Sequence, residues 1–316
     1  MSSRPICLPK LLATSVVRGS QQGDSHGGVY KIDFTSQEVV QEIDWNTTDI
    51  DFTGRGWDRG LRGIEYSQQD IYIAASDELF VFNSLFELQS SYRNPFLKHA
   101  HEICRKNNLL YVTSTGYDSL LVFDVQKKMF IWGLYISKNS EGWLGQAFNP
   151  NSENGPSFNN NYHINSVHVD DTGIYLSGLH TDALLHIDKN IMLSEFCSLP
   201  SGVHNVRLYK EGVLFNDTKA DCVRYAGRDG SERVFKIPKY KEAEIVNAGI
   251  DDSKVARQGF SRGLCPLNDG LIAAGSSPST ISVYDFDSSE LVSSVNLTMD
   301  IRNAIHGLEV WPFKKQ

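Results

Sequence analysis

The chain has 316 residues, 41% hydrophobic and 22% charged, with a formal net charge of −8 at pH 7. That length suits one large all-β domain or two ordinary ones; the acidic balance without a basic stretch excludes nucleic acid as a partner, and no apolar run approaches the roughly 18 residues of a membrane span. The five cysteines (Cys7, Cys104, Cys197, Cys222 and Cys265) are scattered without CxxC spacing, and MSSRPICLPKLLATSVV does not order itself as a signal peptide, so the thiols read as reduced and the protein as cytoplasmic.

In chain order the first strand-like runs are KLLATSVV, GGVYKIDF and EVVQEIDW. Five segments of one shape follow: RGIEYSQQDIYIAAS from Arg62, HEICRKNNLLYVTST from His101, NSVHVDDTGIYLSGL from Asn165, HNVRLYKEGVLFNDT from His204 and RGLCPLNDGLIAAGS from Arg262. A sixth, shorter copy, IHGLEVWP, closes the chain. Between them lie SLLVFDV, MFIWGLYI, ALLHID and TISVYDF, rich in β-branched and aromatic residues and separated by Gly, Asp, Asn and Ser. The best helix candidate is KEAEIVNAGIDDSKVARQ, inside a connection.

The repeat is about forty residues where it is compact, and each unit reads as four strands. The longer intervals carry insertions at 136–162 and 238–260. Four-stranded units of this length, repeated radially, describe a β-propeller. Six blades result if the C-terminal strand supplies the innermost strand that the N-terminal unit lacks. The whole of 1–316 is then a single domain, all-β, closed by its own ends.

Aligning the innermost strands puts Arg62, His101, Asn165, His204, Arg262 and His306 at one repeat position. The histidines lie 103 and 102 residues apart, on every second blade. Two residues on, Ile64, Ile103, Val167, Val206, Leu264 and Leu308 are expected to pack between blades. Both positions have the same strand parity, so the first reaches the axis only if the strand start twists. The ring three residues into the strand (Glu65, Cys104, His168, Arg207, Cys265 and Glu309) competes with it as a mixed channel lining.

Three imidazoles related by about 120° would bind one divalent transition metal and leave a position open: zinc, with iron or copper as alternatives. His101, His204 and His306 are the candidate ligands. Arg62 and Arg262 would flank the metal, and guanidinium forks match carboxylate, sulfate or phosphate oxygens, so the expected partner is a polar or anionic small molecule. His163, just before the ring position, is a candidate fourth ligand or acid/base, and Tyr117 or Tyr162 a candidate phenol. Asn165, with Arg55, Trp57, His180, Asn216, Asp217 and Arg257 from the turns and connections of the same face, would bind substrate.

The three regularly spaced histidines with arginines between them resemble the axial zinc site of peptidyl-α-hydroxyglycine amidating lyase, a six-bladed propeller. The resemblance implies zinc on His101, His204 and His306 and, more loosely, Arg62 or Arg262 as the arginine that assists C–N cleavage; it assigns no tyrosine. The chain is also similar to the gluconolactonase and strictosidine-synthase-like propellers, without their Glu/Asn/Asp calcium ring. Phrases such as SVVRGSQQGDSHGGVY resemble a group of uncharacterised bacterial propellers. The expected activity is that of a metal-dependent lyase or hydrolase. An iron- or copper-dependent oxidoreductase at the same site, or a non-catalytic propeller binding a protein or glycan, are the alternatives, because propellers host many functions.

Overall fold

The computed structural model describes residues 8–21, 23–46, 60–248 and 257–313. Strands β1 (Leu11–Val17), β2 (Gly28–Asp33) and β3 (Glu38–Asp44) open the chain, and blade 1 follows as β4 (Ile64–Ser67), β5 (Asp70–Ala75), β6 (Glu78–Phe82) and β7 (Leu88–Arg93). Blade 2 is β8 (Ala100–Lys106), β9 (Leu109–Ser114), β10 (Ser119–Asp124), β11 (Met129–Asn139) and β12 (Gly142–Phe148). Blade 3 is β13 (Ile164–Val169), β14 (Ile174–Gly178), β15 (Ala183–Ile187) and β16 (Leu193–Ser198). Blade 4 is β17 (Val203–Tyr209), β18 (Gly212–Asp217), β19 (Cys222–Gly227) and β20 (Glu232–Lys236). Blade 5 is β21 (Arg262–Pro266), β22 (Leu271–Ser276), β23 (Thr280–Asp285) and β24 (Leu291–Asn296), and β25 (Asn303–Val310) ends the described sheet structure.

The sixth sheet has the order β25-β1-β2-β3, so the C-terminal strand is the innermost strand of the N-terminal blade and closes the ring. Its pairing with β1 runs from Leu11 opposite Val310 to Val17 opposite Asn303. The molecule is a six-bladed, all-antiparallel β-propeller.

Burial explains why the strands read as they do. Second strands such as β1, β18 and β22 are buried along their whole length, because a blade is covered on both faces by its neighbours. Outermost strands such as β3 and β7 alternate between exposed and half-buried. Ile64, Ile103, Val167, Val206, Leu264 and Leu308 are each no more than 4% exposed. Each sits in a different one of six apolar clusters, and each cluster fills one seam between adjacent blades. Each such side chain is worth roughly 1.5–3 kcal/mol of burial.

Two expectations about the insertions need correction. The four-strand reading is one strand short for blade 2: within the 136–162 insertion β11 runs on to Asn139 and turns into β12, which pairs Gly133 with Phe148 and Asn139 with Gly142. The helix candidate at 241–258 does not form in its described part. Only a 3₁₀ turn at Glu242–Glu244 and a parallel bridge between Val246 and Asp300 appear there.

Candidate active site

The parity conflict at the ring position is resolved by β-bulges. The pairing of inner with second strand shifts register between Ala100 and Ile103, between Ile164 and Ser166, between His204 and Arg207, and between Arg262 and Leu264. On β25 the skipped residue is His306 itself, since Thr14 pairs with Gly307 and Ser15 with Ile305. In blade 1 the Arg62 amide donates to the Ala74 carbonyl while the Ala74 amide donates to Gly63, so two residues again face one. An extra residue rotates the side chains on one side of it by half a strand period. The ring residues therefore turn to the axis while the residues two further on stay in the seams. Glycine at 63, 263 and 307 and Asn205 in the left-handed region (φ 50) accommodate the bulge, and the inner strands come close there. A Cβ on Gly307 would lie 2.2 Å from the Arg62 carbonyl oxygen.

His101, Asn165, His204, Arg262 and His306 line one axial pocket, together with Glu102 and Asn205. Its room for a water-sized body is about 10 Å³, about what a single water occupies. The three histidines share one bonding pattern. The His101 Nδ1 lies 2.6 Å from the His99 carbonyl and 2.9 Å from the Thr115 hydroxyl. The His204 Nδ1 lies 2.9 Å from the Thr218 hydroxyl, and the His306 Nδ1 3.2 Å from the Ala304 carbonyl. Thr115 gives its own proton to the Ile164 carbonyl (2.6 Å), and Thr218 gives its proton to that of Ser261 (2.9 Å). Each threonine must then accept from the imidazole, so the proton sits on Nδ1 and the lone pair on Nε2 in all three rings. Among the described residues the buried His204 Nε2 has no hydrogen-bond partner. Burial, followed by Arg62 for His101 and by Arg262 for His204 and His306, holds all three imidazoles well below the usual histidine pKa and hence neutral.

Arginines crowd the same end of the channel. Arg62 is 2% exposed and donates from Nη1 to the Ala100 carbonyl at 3.3 Å. The Arg262 guanidinium lies 4.5 Å over the Phe260 ring, and Arg18 lies 3.8 Å over the same ring. Burial and the charges of Arg62 and Arg257 lower the Arg18 pKa to about 9. Burial and the charges of Arg18 and Arg62 push Arg262 down as well.

The other sequence candidates are placed as follows. His163 packs edge-on against His101 with ring centroids 5.2 Å apart. Its Nδ1 lies 3.0 Å from the Asn160 Oδ1, its φ is 55, and burial followed by Arg262 lowers its pKa to about 3. Asn165 lines the pocket, but its amide donates to the Val203 carbonyl and its oxygen accepts from Ser166. Arg257 is ion-paired with Asp221 and donates to the Thr218 carbonyl, strapping the preceding connection to blade 4. His180 is exposed on the rim of blade 3.

Three candidates lie away from the pocket lining. Tyr117 does not line the axial pocket; it packs between Phe96 and Phe158 at centroid distances of 5.7 Å. Asn216, expected to bind substrate, is fully buried and donates to Asn205 and to the Gly263 carbonyl, joining blades 4 and 5. Asp217 is likewise buried, taken up by Arg224 and by the Ala220 amide. Both sit on a second strand, where the neighbouring blade covers the side chain. Arg55 and Trp57 lie outside the described residues.

Glu102 and Asn205 were not legible as pocket residues, because they occupy the extra slot that only the bulge creates. Their side chains meet at 2.5 Å. Just below, Arg207 pairs with Glu309 at 3.7 Å, and Glu65 accepts from the Arg105 amide at 2.8 Å. Burial raises Glu65 to about 7 and Glu102 to about 8.

Three neutral imidazoles with open Nε2 lone pairs suit a transition metal chemically. Among the described residues, however, no group of three or more His, Cys, Asp or Glu side chains stands close enough to hold an ion.

No protein-family model and no curated protein matches the sequence. Among solved structures, the nidogen/laminin complex superposes with a TM-score of 0.58 at 8% identity over 95% of this chain and 97% of that one. A protein of unknown function from Bacteroides caccae superposes with a TM-score of 0.54 at 12% identity over 96% and 98%. These likenesses establish the propeller fold and nothing finer. A virginiamycin B lyase from Staphylococcus aureus covers 76% of this chain and 70% of its own at 12% identity, but its TM-score of 0.45 is too low to bear on fold or function. Among the described residues no helix is long and apolar enough to cross a membrane.

Proposed function

We propose that the axial pocket is the active site of a metal-dependent lyase or hydrolase acting on a small polar or anionic molecule. The observation that carries this reading is the shared hydrogen bonding of His101, His204 and His306 around one pocket: each Nδ1 faces a carbonyl or hydroxyl acceptor, which leaves the Nε2 lone pair for a ligand. Metal-binding histidines are oriented in this way, the far nitrogen being held by a carbonyl or hydroxyl. A zinc ion on those three nitrogens would polarise a substrate oxygen or acidify a bound water.

The chain's own residues would then divide the remaining work. Arg262 and Arg62 orient and neutralise the substrate. His163, edge-on against His101 and kept neutral by burial, is placed beside the candidate ligands. The free volume of the pocket is too small for a substrate, so the reacting molecule would sit above the histidines, toward Phe260.

The test is metal analysis of protein purified without a histidine tag. Near-stoichiometric zinc that is lost in His204→Ala supports the reading; no metal, or unchanged metal in that variant, overturns it. A second reading, a metal-free site for an anion, is favoured by the cationic field of Arg18, Arg62 and Arg262, which opposes a bare cation.

A further inference from the structure

Two arginines, Arg18 and Arg262, lie over one phenyl ring, that of Phe260. Arg257, the third arginine near Phe260, has its charge taken up by Asp221. Arg262 differs. It is 8% exposed, lines the pocket, and makes no hydrogen bond or ion pair among the described residues; its Nε is buried and unbonded. Its contact is the Phe260 ring, where Arg18 also stacks. A buried guanidinium is stable when an anion or acceptors satisfy its fork, and leaving it unpaired among like charges is costly.

We infer that Arg262, stacked on Phe260 beside Arg18, is the recognition subsite for an oxyanion (carboxylate, sulfate or phosphate) carried by the ligand. This rests on reading the axial pocket as a substrate site and is independent of any metal. Phe260 offers both guanidinium groups an aromatic surface and no hydrogen-bond acceptor. The planar guanidinium edge then takes two oxygens at once, as a lysine ammonium could not.

The test is isothermal titration of the full-length, metal-stripped protein with acetate, inorganic sulfate and inorganic phosphate, each at constant ionic strength. The expected result is saturable binding of at least one of them, weakened about tenfold or more in Arg262→Gln. Acetate as the tightest probe assigns a carboxylate; sulfate or phosphate assigns a tetrahedral oxyanion. Arg262→Lys keeps the charge but not the fork, and weakening in that variant supports the subsite should Arg262→Gln fail to fold. Absence of saturable binding to the wild type, or equal binding by a folded Arg262 variant, overturns the inference. Because no metal is present, the result stands whether or not His204→Ala alters metal content.

Discussion

His204 and Thr218 are locked in one hydrogen-bond chain. The imidazole Nδ1 lies 2.9 Å from the threonine hydroxyl, which passes its own proton 2.9 Å on to the Ser261 carbonyl in the next blade. The same chain recurs from His101 through Thr115 to Ile164. In the closing blade Thr14 donates to the Arg62 carbonyl at 2.5 Å, while accepting from the Gly307 amide. Three threonines on alternate blades thus stitch the seams, and two of them also set the tautomer of a pocket histidine.

Thr218→Val removes the acceptor and leaves the Nδ1 proton and the Ser261 carbonyl unsatisfied. Urea unfolding is expected to show a loss of about 1–3 kcal/mol. Metal affinity, measured by chelator competition, is expected to fall about 10–100-fold. Thr218→Ser should keep most of both. Equal loss in the two variants would contradict the role of the hydroxyl.

Stability is expected to peak near pH 6.5. Burial depresses His101, His163, His204 and His306 below the ordinary value of 6.5. The unfolded chain takes up those protons first, so stability is lost as pH falls below 6.5. Glu65 and Glu102 work in the opposite direction. Their folded pKa values, about 7 and about 8, exceed the ordinary 4.5, so their contribution is complete below 4.5 and is lost as pH rises through 7 to 8. Between 4.5 and 6.5 the histidines outnumber the carboxylates and the slope is positive. Urea midpoints at about pH 5, 6.5 and 8.5 check this, and a midpoint still rising at the highest pH would contradict it.

Gly307→Ala is expected to strain the closing seam. The added Cβ would meet the Arg62 carbonyl at 2.2 Å and the Thr14 hydroxyl at 2.5 Å. Overpacking of this kind costs about 1–3 kcal/mol, read as a lower unfolding midpoint. Gly145→Ala on the outer strand of blade 2 meets the flexible Leu134 Cδ1 at 3.2 Å and should change the midpoint far less.

Val206→Ala empties part of the seam between blades 3 and 4, where Val206 packs among Tyr175, Leu184, Val213 and Phe215. A loss of about 2 kcal/mol is expected in urea unfolding. Val234→Ala, 42% exposed on β20, should be close to neutral. Similar effects at the two positions would mean that the seam is not the core.

The propeller was legible because its core repeats. One apolar residue per inner strand recurs at a constant offset from the ring position, and a seam between blades needs exactly such a residue whatever the rest of the strand does. The threefold histidine spacing was legible for the same reason, and the convergence of those residues on one pocket followed from closure. The threonines could have been found too, since Thr115 and Thr218 each lie fourteen residues after their histidine.

What the linear chain by itself determined is the number of blades, the partner of the last strand and the identity of the residues at the ring, since these follow from periodic burial and from which unit lacks a strand. Only the tertiary structure decided which way those residues point, because the bulges that turn them depend on the register between strands. It also decided that Asn216 bonds to the neighbouring blade and Asp217 to Arg224 and Ala220 of its own blade, that Glu102 and Asn205 join the pocket, and that Arg18 and Arg262 both lie over Phe260. Contacts between residues separated by hundreds of positions are set by how sheets pack around an axis, and no local pattern encodes that distance.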